Sequence, residues 1–158
     1  KDGYYMSSDV ALLKLKDPLP LSDPAAHLGA ICLPMEESEA NLTGSVCTVT
    51  GWGTLSYEGK LPDILQTVNV TVIDTGVCAQ DYQPASGLVD VTMLCAAGLG
   101  KAHCKGDSGG PLVCYQNGRW NVVGVVSWAE GCADPKYPGV YGRVSKFLPW
   151  IKNIIAHN

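Results

Sequence analysis

The chain has 158 residues with a formal net charge of −4, and hydrophobic residues make up 46% of it. That is long enough for one domain with a sizeable core, and too apolar for disorder. The acidic balance, without a basic cluster, argues against nucleic acid as a partner, and no run approaches the roughly 18 apolar residues that mark a membrane span.

A single Phe and 16% charged residues, set against 18 Gly and 10 Pro, predict many short strands joined by tight turns. The start, Lys1-Asp2-Gly3-Tyr4-Tyr5, has no apolar signal-peptide region, so a mature or processed piece is expected. Seven cysteines are many for this length, and none form a C-x-x-C pair. Metal-ligand spacing is absent, so no metal or cofactor is expected; a disulfide framework outside the cytosol explains the cysteines better. Arithmetic alone leaves their pairing open. Two N-glycosylation sequons, at Asn41 and Asn69, agree with a secreted glycoprotein.

Along the chain, Val10 to Leu15 reads as a buried strand bounded by Asp9 and by Asp17-Pro18. A carboxylate at a strand end, as at Asp9, is ordinarily solvated. Residues 19–34 read as loop with a short apolar run. Residues 35–43, with Glu36, Glu37, Glu39 and Asn41, read as an exposed linker. From Cys47 the strand signals become dense, breaking at Gly51-Trp52-Gly53. In 66–73, Val68, Val70 and Val72 share one face while Asn69 and Thr71 lie on the other, the period-two pattern of a half-buried strand. Residues 75–82 predict a short helix capped by Asp74 or Thr75. Trp120 to Trp128 is a nearly continuous β-branched run, as in a barrel-core strand. From Ser145 to Asn158 a helix is expected, with Ser145 as cap and Pro149 near the first turn. Phe147, Trp150, Ile151, Ile154 and Ile155 recur there at helical spacing. No internal repeat or low-complexity segment appears. This periodicity predicts an all-β domain closed by a C-terminal helix.

The chemistry-bearing stretch is Gly106-Asp107-Ser108-Gly109-Gly110-Pro111. Glycines on both sides let the backbone turn tightly and present amides to a cleft. Ser108 can then act as a nucleophile, with the amides of Gly106 and Ser108 aimed at an oxyanion. The same residue types also make ordinary surface turns.

The hexapeptide has company. Asp9 ahead of Val10-Ala11-Leu12-Leu13, Gly51-Trp52-Gly53, Val126-Ser127-Trp128, Pro138-Gly139-Val140-Tyr141 and the ending Phe147-Leu148-Pro149-Trp150-Ile151 stand in one order. Together these residues resemble the trypsin-like, chymotrypsin-fold serine peptidases over nearly the whole chain. The resemblance implies a chymotrypsin-like double β-barrel with a C-terminal α-helix. Residues 1–32 would end the first barrel, 33–46 link the barrels, and 47–158 form the complete second barrel with the helix. It implies the disulfides Cys47–Cys114, Cys78–Cys95 and Cys104–Cys132. Cys32 is left over, and the resemblance implies an interchain partner for it; the alternative is a buried free thiol.

The resemblance also assigns roles. Ser108 would be the nucleophile, Asp9 the acid that orients a histidine, Gly106 and Ser108 the oxyanion hole, and Asp107 the partner of the N-terminus liberated on zymogen activation. The substrate would meet Ala102, His103, Cys104, Lys105, Ser127, Trp128, Ala129, Gly131 and Gly139. The family's catalytic histidine precedes Asp9, and His27, His103 and His157 do not occupy that place. A separate N-terminal chain is therefore expected to supply it, making a two-chain protease that is inactive without its partner. Trypsins carry Asp six residues before the nucleophile; here that position is Ala102, beside His103. A basic substrate side chain would bury an unpaired charge there. A medium-sized apolar or aromatic side chain is expected instead, with His103 either structural or, if protonated, attracting an acid; the alternative is a compensating negative charge from Asp134 or Glu130. The implied partners are that N-terminal chain, protein or peptide substrates and protease inhibitors. The alternative function is a catalytically inactive homologue acting as a binding protein.

Overall fold

The alternation at residues 66–73 is realised as a strand, β2 (Gln66–Ile73), with Val70 and Val72 buried and Asn69 and Thr71 exposed. It pairs antiparallel with β1 (Val46–Gly51), Cys47 opposite Val70 and Val49 opposite Val68. The computed structural model describes residues 6–35, 42–83 and 89–157; the sequon residue Asn41 lies outside them, as does the 36–41 part of the expected linker.

Four more strands follow: β3 (Met93–Ala97), β4 (Pro111–Gln116), β5 (Arg119–Trp128) and β6 (Gly139–Arg143). Asn117 and Gly118, both with positive φ, turn the β4–β5 hairpin. The strands close into a barrel in the order β1-β2-β3-β6-β5-β4, with β4 returning to β1. Closure leaves no free sheet edge. Val49, Val70, Leu94, Leu112, Val123, Val126 and Tyr141 fill the interior. Each aliphatic side chain so buried contributes about 1.5–3 kcal/mol. Leu42, expected in an exposed linker, is buried in this interior. Its segment is docked on β2 by hydrogen bonds from the Gly44 amide to Val72 and from the Val72 amide to Ser45.

Two helices complete the element order. Helix α1 (Thr75–Asp81) is capped by Asp74, not Thr75, because the Asp74 carboxylate accepts from the amides of Gly76 and Val77. Helix α2 (Val144–His157) begins one residue earlier than expected, so Ser145 lies inside its first turn, buried, and does not cap it. Pro149 is the sixth residue of α2, beyond the first turn, and forgoes the bond to the Ser145 carbonyl. Val144, Leu148 and Ile151 bury against Val122 and Val125 of β5, while Trp150 and Ile155 stay exposed.

The buried strand expected at 10–15 is not formed. No strand is assigned there, and Leu13 is 87% exposed. Among the described residues no strand lies alongside to satisfy its backbone in a ladder. The regular structure in residues 6–35 is a 3₁₀ turn at Pro24–Ala26, ended by His27, and a bridge from Cys32 to Asn121.

All three implied disulfides are present: Cys47–Cys114 joins β1 to β4, Cys78–Cys95 joins α1 to β3, and Cys104–Cys132 joins two connecting loops. Cys32 is unpaired and half-buried, its backbone bonded to Trp120 and Val122 on β5.

Candidate active site

One end of the barrel gathers the C-terminal end of β5, the start of β6 and the connection from β3 to β4. Ser108 sits on that connection. Its turn is held by bonds from the Asp107 amide to the Cys104 carbonyl (3.1 Å) and from the Gly110 amide to the Asp107 carbonyl (2.9 Å). Reciprocal bonds between Val126 and the pair Gly109 and Gly110 then fasten it to β5. Gly106 has φ +98, a conformation a side chain would strain. Ser108 is exposed, and among the described residues neither its amide nor that of Gly106 has a hydrogen-bond partner. Both donors are thus free for an incoming acceptor.

Beside Ser108 lies a cleft of about 310 Å³. Every residue expected to meet substrate lines it except Ala102 and Gly139. Ala102 instead lines a second cavity of about 260 Å³ that holds Asp107, and Gly139 packs behind the ring of His103. His103, Cys104 and Cys132 border both spaces. Asp107 turns its carboxylate away from Ser108, accepting from the Gly53 amide (2.8 Å) and the Cys104 amide (2.9 Å).

Asp9 reaches this end through Ser127, whose hydroxyl donates to the Asp9 carboxylate at 2.7 Å. The strand register explains why Ser127 can do so. Val126 pairs with Tyr141 and Trp128 with Val140, so Ser127 is an extra residue in β5 with no partner across the ladder. Such a bulge re-aims its side chain out of the sheet. Gly142 allows the close approach from below: a Cβ there would lie 2.9 Å from Val10 and 3.1 Å from the Asp9 carbonyl.

Sequence reasoning missed Tyr57. It lines the cleft, and the Lys105 ammonium stands 4.0 Å over its ring. Its Ser56-Tyr57-Glu58-Gly59 setting carries no signal for that position. The aromatic support was also missed: Tyr82 packs edge-on against Trp128 (4.8 Å), and its hydroxyl donates to the Pro138 carbonyl just ahead of β6. Burial raises the Tyr82 phenol to about 12.

His103 is 4% exposed, and its Nε2 has no hydrogen-bond partner among the described residues. Burial lowers its pKa to about 4, with Asp107 opposing. The imidazole is therefore neutral near pH 7. No cluster of His, Cys, Asp and Glu suited to a metal ion occurs among the described residues.

Comparison with protein-family models gives a match to one, Trypsin, over residues 1–151. The chain belongs to the trypsin family. The closed six-stranded barrel and terminal helix fit that family's chymotrypsin-like fold. Family membership supports a serine-protease type of function, and three disulfides in such a domain are consistent with an extracellular protein.

Proposed function

We propose that this chain forms the larger part of a secreted, two-chain serine endopeptidase. The observation that carries the reading is the shared cleft: Ser108 opens into it beside Ser127, and Ser127 is hydrogen-bonded to Asp9. In this reading Ser108 Oγ attacks the scissile carbonyl while a histidine on the N-terminal chain takes its proton. The carbonyl π pair moves to oxygen, which the Gly106 and Ser108 amides hold as an oxyanion. The protonated histidine, oriented by Asp9, gives its proton to the leaving amine as the C–N bond breaks. Water then repeats the sequence on the acyl-enzyme.

Several observations support parts of this reading. Leu13, Leu15, Leu19, Leu28 and Ile31 are exposed apolar side chains in residues 6–35, suited to burial by the rest of the first barrel. The cavity at Asp107 has room for an incoming ammonium, supporting its zymogen-activation role. Cys32 is proposed to bond covalently to the other chain. Asn69 is exposed on β2, as a glycan acceptor requires; Asn41 is proposed as a second. Ala102 lies out of the cleft and His103 is uncharged, so neither supplies a countercharge for Lys or Arg; Lys105 and Glu130, which line the cleft, are of opposite sign, and an apolar side chain is favoured.

Fluorophosphonate labelling of the native, non-reduced protein with intact-mass readout tests this. The expected result is a single adduct at Ser108 together with a co-purifying chain. A folded two-chain complex that does not label would sink the protease reading and favour the inactive binding homologue.

A further inference from the structure

The cleft beside Ser108 stops at His103. No residue of β6 contributes to it, although β6 begins at Gly139 directly behind that ring. The reason is steric. A Cβ on Gly139 would lie 2.7 Å from His103 Nε2 and 2.8 Å from Cδ2, closer than real Cβ contacts come. On another side the ring meets Tyr141 edge-on, centroids 5.0 Å apart at 81°. The space that glycine leaves at the start of β6 is thus filled by imidazole and is not open to substrate. Ala102, the residue expected at the base of the pocket, lines the Asp107 cavity and not the cleft, and His103 borders both spaces.

We infer that His103 is the floor of the primary specificity pocket, and that it restricts the side chain preceding the scissile bond to short ones of about the size of Ala, Val or Thr. This rests on the peptidase reading and narrows its apolar preference by excluding aromatic side chains. The ring is wedged between Gly139 and Tyr141, and a buried, neutral imidazole offers neither an anion for Lys or Arg nor a cation for Asp or Glu. The charged side chains lining the cleft are Lys105, whose ammonium stands over the Tyr57 ring, and Glu130; Asp107 lines the other cavity.

The test uses the native, non-reduced protein with its co-purifying chain and peptide p-nitroanilides that differ only in the last residue: Ala, Val, Phe, Lys or Asp. Wild type should show kcat/KM for Ala or Val about tenfold or more above Phe, Lys and Asp. His103→Ser should raise the Phe-to-Ala ratio at least about tenfold by opening the space against Gly139. Wild type cleaving Phe as well as Ala, or a ratio unmoved in the variant, overturns the inference while leaving the peptidase intact. Should the variant not fold, the wild-type ranking decides alone. Absence of both cleavage and Ser108 labelling would instead count against the peptidase. Binding of indole, measured by calorimetry, then decides the pocket: uptake by His103→Ser and not by wild type supports the floor, and uptake by wild type overturns it.

Discussion

Acidifying the protein from pH 7 to pH 4 probes the buried imidazole of His103 directly. In the unfolded chain this group titrates near 6.5; in the fold burial lowers it to about 4, and the Asp107 carboxylate only partly offsets that. As pH falls through 6.5 the unfolded chain takes up a proton that the folded one refuses, so the equilibrium tilts toward unfolding. The contribution of His103 to stability is therefore complete above about 6.5, declines between there and about 4, and is flat below. At 1.36 kcal/mol per pH unit, the full effect is at most about 3 kcal/mol. The burial supports taking most of it, since the residue is 4% exposed and Nε2 has no partner among the described residues. Urea unfolding of wild type and His103→Gln at several pH values, disulfides intact, isolates the contribution of this ring, because other titrations cancel in the difference. The gap between the two should shrink by about 2–3 kcal/mol from pH 7 to pH 4. Parallel pH profiles would refute the argument and mean that the ring is reached by water or paired in the fold.

Ser127→Ala removes the hydroxyl that holds Asp9 at 2.7 Å, and should lower kcat about tenfold with little change in KM, since one charge-assisted bond is lost from a positioning role. An equal rise in KM would point to substrate contact instead. Tyr82→Phe leaves the buried Pro138 carbonyl without its donor and should cost about 1–3 kcal/mol in chemical denaturation. Cys32→Ser should release the second chain on a non-reducing gel without altering the other three bridges; retention of one covalent species would reject an interchain bond at that residue.

The second barrel was legible where periodicity had one meaning. In 66–73 polar and apolar residues alternate strictly, and the strand has those bounds. The run through Val122, Val123, Val125 and Val126 suits only a wall with packing on it, and β5 provides that wall. By contrast, Val10 to Leu15 has a strand's composition but no ladder to join among the described residues, and composition cannot supply one. Leu42 was misread for a related reason. It stands amid acidic and polar neighbours, and a lone apolar residue gives no period from which burial can be inferred.

The candidate site divides along the same line. Ser108 and Gly106 are neighbours in the chain, so local geometry carries them into the structure as the sequence suggested. Lys105 and Ser127 also reach the cleft, whereas Ala102 and Gly139 do not, and what separates them is a single ring. Sequence offers His103 as one letter beside a missing carboxylate, which leaves charge as the obvious question. The fold changes that question to one of volume: β6 brings Gly139 and Tyr141 to either side of the imidazole, and those positions are more than thirty residues away in the chain. The bulge at Ser127 is equally invisible beforehand, because it exists only as a mismatch between two strands. Positions set by their own turn were readable, and positions set by a strand's register or a neighbour's missing side chain were not. His103 belongs to the second kind, and for that reason trimming its ring, more than restoring a carboxylate at Ala102, is the change expected to alter which side chain the cleft accepts.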